Sequence, residues 1–283
     1  MITGENDLSR AGEPMHTVEE LIGARSLDLF RAIESQMTDA DKRSLLAVQK
    51  AVRRAVSAYH YLEIGSHLGG SIQPHMLDPR CLSIISIDPR PAAVKDDRGY
   101  DILYKDNSTA RMIELLGAVS AEGVSRVRTF DLDASAVPVD AVHPGPHLCF
   151  IDGEHSEKAV ISDFAFCRSV LAPDGVIVFH DANHIFSGLR KIITSLREAS
   201  IPFHAYVLPS AVFVMEFGAS KICEEDDDIR LLLRDNAEAY LFGMETLLHY
   251  REVLNRPALR ALRAVWQVYL RVERFFREPR TIP

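Results

Sequence analysis

The chain has 283 residues, 47% apolar and 25% charged, which suits one sizeable α/β domain with extensions or two small domains. No apolar run approaches the ~18 residues that a spanning helix requires. The four cysteines form no C-x-x-C pair and the N-terminal MITGENDLSRAGEPM lacks a basic-then-apolar leader, so a reduced, cytoplasmic setting is expected. The net charge of −8 is uneven: from Arg251 onward eight arginines stand against three acids, +5, which leaves −13 on residues 1–250 and argues against a nucleic-acid partner for that acidic body.

Residues 1–38 read as a polar, proline-interrupted extension holding one short amphipathic piece, VEELIGARSLDLFRAIESQ. A helix is predicted from Asp39 to Ala58, capped by Thr38, with Leu45, Leu46, Val48 and Val52 on one face. Short apolar runs then alternate with helical periods: the strands HYLEI, CLSIISID, RVRTFDL, HLCFID and VIVFHD, and the helices TARMIELLGAVSA (capped by Asn107 or Ser108), KAVISDFAFCRSVLA and SGLRKIITSLREA. FHAYVL and AVFVMEF close the series as an antiparallel pair, parted only by Pro209 and Ser210. This order predicts an α/β, Rossmann-like mixed sheet over 39–218, mostly parallel with a closing hairpin and helices on both faces. Residues 219–283 read as a helical extension: EEDDD is a solvated loop or a helix start, and two helical stretches follow, divided by Pro257.

Open α/β sheets bind ligands beyond the carboxyl ends of their strands. The sequence places there Glu63 and Gly65, then Asp88, then Asp131 and Asp133, then Asp152-Gly153-Glu154-His155, then His180-Asp181-Ala182-Asn183. One such acid reads as a cap or turn former; five on a single edge read as a site. Asp88, at the end of the second strand, suits the hydroxyls of a ribose, so a nucleoside ligand is expected. The stretch YLEIGSHLGGS decides which one. In it Gly65 is followed by Ser66, His67 and Leu68 before Gly69 and Gly70, so the G-x-G-x-x-G spacing that admits a pyrophosphate is absent. Glu63 at the strand end suits a cationic group.

EIGSHLGGS resembles the first motif, E/D-x-G-x-x-x-G, of class I S-adenosylmethionine-dependent methyltransferases. FIDGEHSEKAVISDFAFCRSVLAPDGVIVFHD resembles the branch with I-D-G-x-H-S and V-x-H-D motifs, related to macrolide-sugar and catechol-type O-methyltransferases. The resemblance covers Tyr61 to Phe217. It implies methylation of a small hydroxylated acceptor, a sugar or secondary metabolite, with S-adenosylmethionine held by Glu63, Gly65, Ser66, Gly69, Gly70, Ser71 and Asp152. Asp88 would take the ribose and Asp133 the adenine edge, with Asp106 of YKDNS competing for the latter. Asp152 and Asp181 would converge on Mg²⁺, with Asn183, one residue later than in catechol-type relatives, as a third ligand. His155, three residues after Asp152, takes the position of the general base. His180 alternates to the other side of its strand and reads as a supporting residue; His67 stays ambiguous, and His75, His184 and His249 read as ordinary. An NAD-dependent oxidoreductase and a non-catalytic cofactor-binding relative are the alternatives.

The tail ALRALRAVWQVYLRVERFF spaces Leu259, Leu262, Val265 or Trp266, and Tyr269 by threes and fours, with arginines between. It reads as a helix packed on its own domain or on a second subunit. Alternatively it is a membrane-surface helix, which would make the chain peripheral at a membrane and suit a lipid-linked acceptor.

Overall fold

A computed structural model describes residues 17–90, 107–218 and 226–277, with side chains to residue 270. Seven strands fall on the seven apolar runs: β1 Tyr59–Ile64, β2 Cys81–Ile87, β3 Val127–Phe130, β4 Leu148–Ile151, β5 Val176–Phe179, β6 Phe203–Leu208 and β7 Val212–Phe217; a short β8, Asp235–Asn236, completes one sheet. Its order is β3-β2-β1-β4-β5-β7-β6-β8. β1 to β5 pair in parallel, whereas β7 runs antiparallel to both β5 and β6. The chain builds outward from β1 through β2 to β3, then returns to β4 on the other side of β1. The crevice between the ends of β1 and β4 is therefore the topological switch point, where such sheets take their ligands. This is a Rossmann-like mixed α/β fold.

Helices cover both faces, which is why β4 and β5 are buried at every position instead of alternating. One face, with Tyr59, Tyr61, Leu148, Phe150, Val176 and Val178, packs with residues of α2 (Asp39–Ala55), α3 (Gln73–Leu77) and α4 (Thr109–Val119). On the other face lie α6 (Glu157–Val170) and α7 (Ala182–Glu198), where Phe164 of α6 stacks on Phe179 at 6.3 Å; α5 (Ala121–Val124) leads into β3. Cys81, Cys149 and Cys167 are free and buried, and Cys223 lies outside the described residues.

α2 begins where its cap is expected: Thr38 accepts from Asp41 N–H while Asp41 accepts from Thr38 N–H, a reciprocal capping box. The β6–β7 connection is the three residues Pro209 to Ala211, one longer than the sequence suggests, and it sets Ser210 and Ala211 at φ of 62° and 65°, in the left-handed region that tight hairpin turns use. Pro209 O accepts from Ser44 Oγ and Ser210 Oγ lies 3.0 Å from Thr38 Oγ1, so the turn ties the start of α2 to the end of the sheet near β5.

Two boundaries differ from those read in the sequence. From residue 17, the segment assigned to an N-terminal extension is part of the core: α1 (Val18–Gly23) and the stretch after it bury Ile22, Leu29, Phe30, Ile33 and Met37. The buried amide of Gln73 holds it, accepting from Ile33 N–H at 2.9 Å and donating to Ile33 O at 2.8 Å. At the other end the sheet does not stop at residue 218. Asp226, 3% exposed, caps α8 (Asp227–Leu232) and pairs with Arg54 at 2.6 Å, and β8 adds to β6. The acid run therefore leads into a helix, and its Asp226 is buried, not solvated. The first compact unit is Met1–Asn236; the second, Ala237–Pro283, holds among its described residues α9 (Ala237–Leu254) and α10 (Pro257–Arg277). Among the described residues no helix is long and apolar enough to cross a membrane.

Candidate functional site

The glycine turn follows β1. Gly65 sits at φ 87°, and a Cβ there would lie 2.1 Å from the carbonyl oxygen of Asp152, so a bare backbone is what lets the ends of β1 and β4 meet. Gly70 is demanded by the protein too: its Cβ would fall 2.5 Å from Glu34 O, in the segment ahead of α2. Ser66 is 2% exposed, and its Oγ has no hydrogen-bond partner among the described residues. A buried hydroxyl without a partner is uncommon in folded proteins and is satisfied by a ligand where one binds.

Glu63 does not present its charge to that turn. It is fully buried with both oxygens engaged, Oε2 by Tyr61 Oη at 2.6 Å and Oε1 by Ser71 Oγ at 2.6 Å. Burial pushes its carboxyl up to about 7, against the two hydrogen bonds that favour the charged form. The physical reason is alternation: Tyr59, Tyr61 and Glu63 share one side of β1, the side packed on the helices. Ser71 is consequently a partner of Glu63.

Asp88, at the end of β2, is 8% exposed and accepts from His67 N–H at 2.8 Å, with His67 held at φ 46°. Burial raises its pKa, with Arg90 opposing. Arg90 has no place among the residues singled out in the sequence, yet it ties this half of the site together. Its guanidinium, 1% exposed, donates to His67 O at 3.0 Å and Asn107 Oδ1 at 3.2 Å and lies 3.5 Å from both Asp88 and Asp131. Asp131, which also accepts from Thr109, is therefore engaged within this network. The available sequence signal is an arginine two residues beyond a strand-end acid.

At the far edge Asp133 is exposed ahead of a 3₁₀ turn, and Asp106 lies outside the described residues. Asp163 of α6, which the strand-end pattern does not reach, is pushed up to about 7 by burial and then by the charges of Asp133 and Glu154.

Across the switch point, the ends of β4 and β5 converge. One ligand atom each from Asp152, His155 and Asp181 lies within 4.8 Å of the others. Asp181 caps α7 in the left-handed region at φ 49°, which aspartate tolerates, and its Oδ2 is 3.0 Å from His155 Nε2. Burial alone would raise Asp181, but the His155 bond and the charge of His180 hold it down to about 2. His155 is buried with Nδ1 enclosed by protein, so Nε2 is the nitrogen facing the carboxylates. Asn183 is exposed in the first turn of α7, two residues beyond Asp181.

His180 lies inside this cluster and not away from it. Its Nδ1 is 2.9 Å from Asp152 Oδ1 and 3.8 Å from Asp181 Oδ2, while Nε2 lies 3.3 Å from Asp41 at the start of α2. Burial would lower this imidazole, yet Asp152, Asp41 and Asp181 together raise it to about 11. It is a buried cation among three carboxylates. Asp41 comes from α2 and His180 from the end of β5, far apart in the chain, so no local pattern reveals the pair.

The comparisons with known proteins bear on the same stretch. A family model described as a methyltransferase domain matches residues 62–182. An uncharacterised protein of Acanthamoeba polyphaga mimivirus is 28% identical over 144 residues, 48% of this chain and 60% of that protein, so the match spans less than two thirds of that relative. Among solved structures, the calicheamicin methyltransferase CalS11 is similar at a TM-score of 0.49 and 14% identity, over 77% of this chain and 100% of that one. The O-methyltransferase TomG from Streptomyces achromogenes, solved in complex with SAM, is similar at 0.43 and 15%, over 75% and 93%. The segment similar to a methyltransferase domain, Leu62 to Ala182, is the one that carries Gly65, Asp88, Asp152, His155 and Asp181.

Proposed function

We propose that this chain is an S-adenosylmethionine-dependent methyltransferase that methylates a hydroxyl of a small acceptor such as a sugar or secondary metabolite. The observation that carries the reading is the contact of two half-sites: the Gly65 turn abuts the Asp152 carbonyl, so a nucleoside-binding turn lies beside the Asp152–His155–Asp181 group. The cofactor fits the residues present, since Ser66 Oγ is a buried polar atom with no partner among the described residues and Asp88 ends β2 at the ribose position. S-adenosylmethionine, when bound, supplies an electrophilic methyl group.

The chain's own residues orient the acceptor and remove its proton. The acceptor hydroxyl would replace Asp181 as the partner of His155 Nε2, which takes its proton, and Asp181, 3.0 Å away before the acceptor docks, stabilises the imidazolium that forms. His180 holds the Asp152 carboxylate in place. A second reading rests on the spacing of the same three groups, which fits a divalent cation. Asp152, Asp181 and His155 would hold it, and it would lower the pKa of the acceptor hydroxyl. Two carboxylates suit Mg²⁺, while the imidazole also admits a first-row transition ion. His155 Nε2 cannot serve as base and ligand at once.

Calorimetric titration with S-adenosylmethionine, in Mg²⁺ and again in EDTA, with NAD⁺ as control, tests the reading. Binding of S-adenosylmethionine alone supports it. Binding of NAD⁺ instead would replace it with an oxidoreductase, and binding of neither with a non-catalytic relative. Unchanged turnover in Asp152→Ala would remove the cation.

A further inference from the structure

α10 is a helix of 21 residues with one basic stripe and a broad apolar face. Arg260 and Arg263 are three apart, and the sequence continues through Arg271 and Arg274 at spacings of eight and three; at 3.6 residues per turn these four positions fall within about 80° of one another. The apolar side chains are open: Leu262 is 63% exposed, Val265 68%, Trp266 59% and Tyr269 54%, and the last two rings stack at 5.4 Å. Single exposed apolar residues need no explanation, but a contiguous row of large ones does.

We infer that α10 lies on an anionic membrane surface, with Trp266 and Tyr269 among the acyl-chain boundary and the arginine stripe on lipid phosphates. Charge chooses this occupant. Between Pro257 and Arg277 five arginines accompany one acid, Glu273, so a second copy of this helix offers the stripe no matching negative charge. An anionic bilayer supplies the opposite charge along the whole stripe, and guanidinium pairs with phosphate oxygens in a bidentate fashion. The helix rests on the surface without crossing it: none among the described residues is long and apolar enough to cross. This inference is independent of the chemistry proposed above.

The test has a built-in reporter, because Trp266 is the chain's only tryptophan. The full chain is mixed with phosphatidylcholine vesicles, with or without phosphatidylglycerol, and both co-sedimentation and Trp266 emission are followed. The expected result is a blue shift and pelleting with anionic vesicles, weakened by high salt. Arg260→Glu with Arg263→Glu should reduce the binding about tenfold or more, while circular dichroism of the variant stays that of the parent. No binding to anionic vesicles would overturn the inference. A Trp266 already shielded without lipid, in a particle of twice the monomer mass, would overturn it in favour of a second copy.

Discussion

Glu63 at the end of β1 and Asp181 after β5 are carboxylates on the same edge of one sheet, and they are pushed in opposite directions, to about 7 and about 2. Both are penalised by burial. Glu63 is answered mainly by two neutral hydroxyls, with the charge of Arg90 offset by that of Asp152, whereas Asp181 has two imidazoles beside it. The lesson is that the end of β1 itself is organised by backbone geometry and neutral hydrogen bonds, and the β4–β5 side by charge.

The strongest way to break this comparison is at the seam. Gly65→Ala forces a Cβ onto the Asp152 carbonyl at positive φ, and a loss of about 3–5 kcal/mol is expected from the urea midpoint. Next, His180→Ala leaves Asp41 and Asp152 without their shared cation; about 3 kcal/mol is expected in the same measurement, a little less if water reaches the partly open Asp152. The pH dependence sharpens the contrast. A carboxyl raised from 4.5 to about 7 contributes stability that is fully present below pH 4.5 and is lost as the pH rises through 7. Between about pH 5 and pH 8 this group should cost on the order of 1–3 kcal/mol, and Glu63→Gln should remove that slope from the unfolding curves. The smallest effect belongs to Ser66→Ala. Because the hydroxyl has no partner among the described residues, apo stability should hold or rise slightly, while affinity for S-adenosylmethionine falls about fivefold by calorimetry.

Much of the fold is legible in the sequence because its signals are local. Seven apolar runs become seven strands, Thr38 and Ser108 cap the helices expected of them, and the positions of Asp152, His155 and Asp181 follow from where β4 and β5 stop. The limits are equally physical. Residues 17–38 look like an extension because no long helix or strand period runs through them, and only Gln73 and the helices beneath show that they are core. His180 looks turned away from the site by strand alternation, but it lies just past the end of β5 and meets Asp152.

By itself, then, the sequence determined the order of the elements, the glycine turn and which acids end which strands, since each depends on residues a few positions apart. Tertiary structure alone decided which groups those acids meet. Arg90 joins β2 to His67 and Asn107, Glu63 turns inward to Tyr61 and Ser71, and Asp41 arrives from α2 to share His180 with Asp152. Burial and neighbouring charge set the character of a carboxylate, and both come from chain segments that only folding brings together.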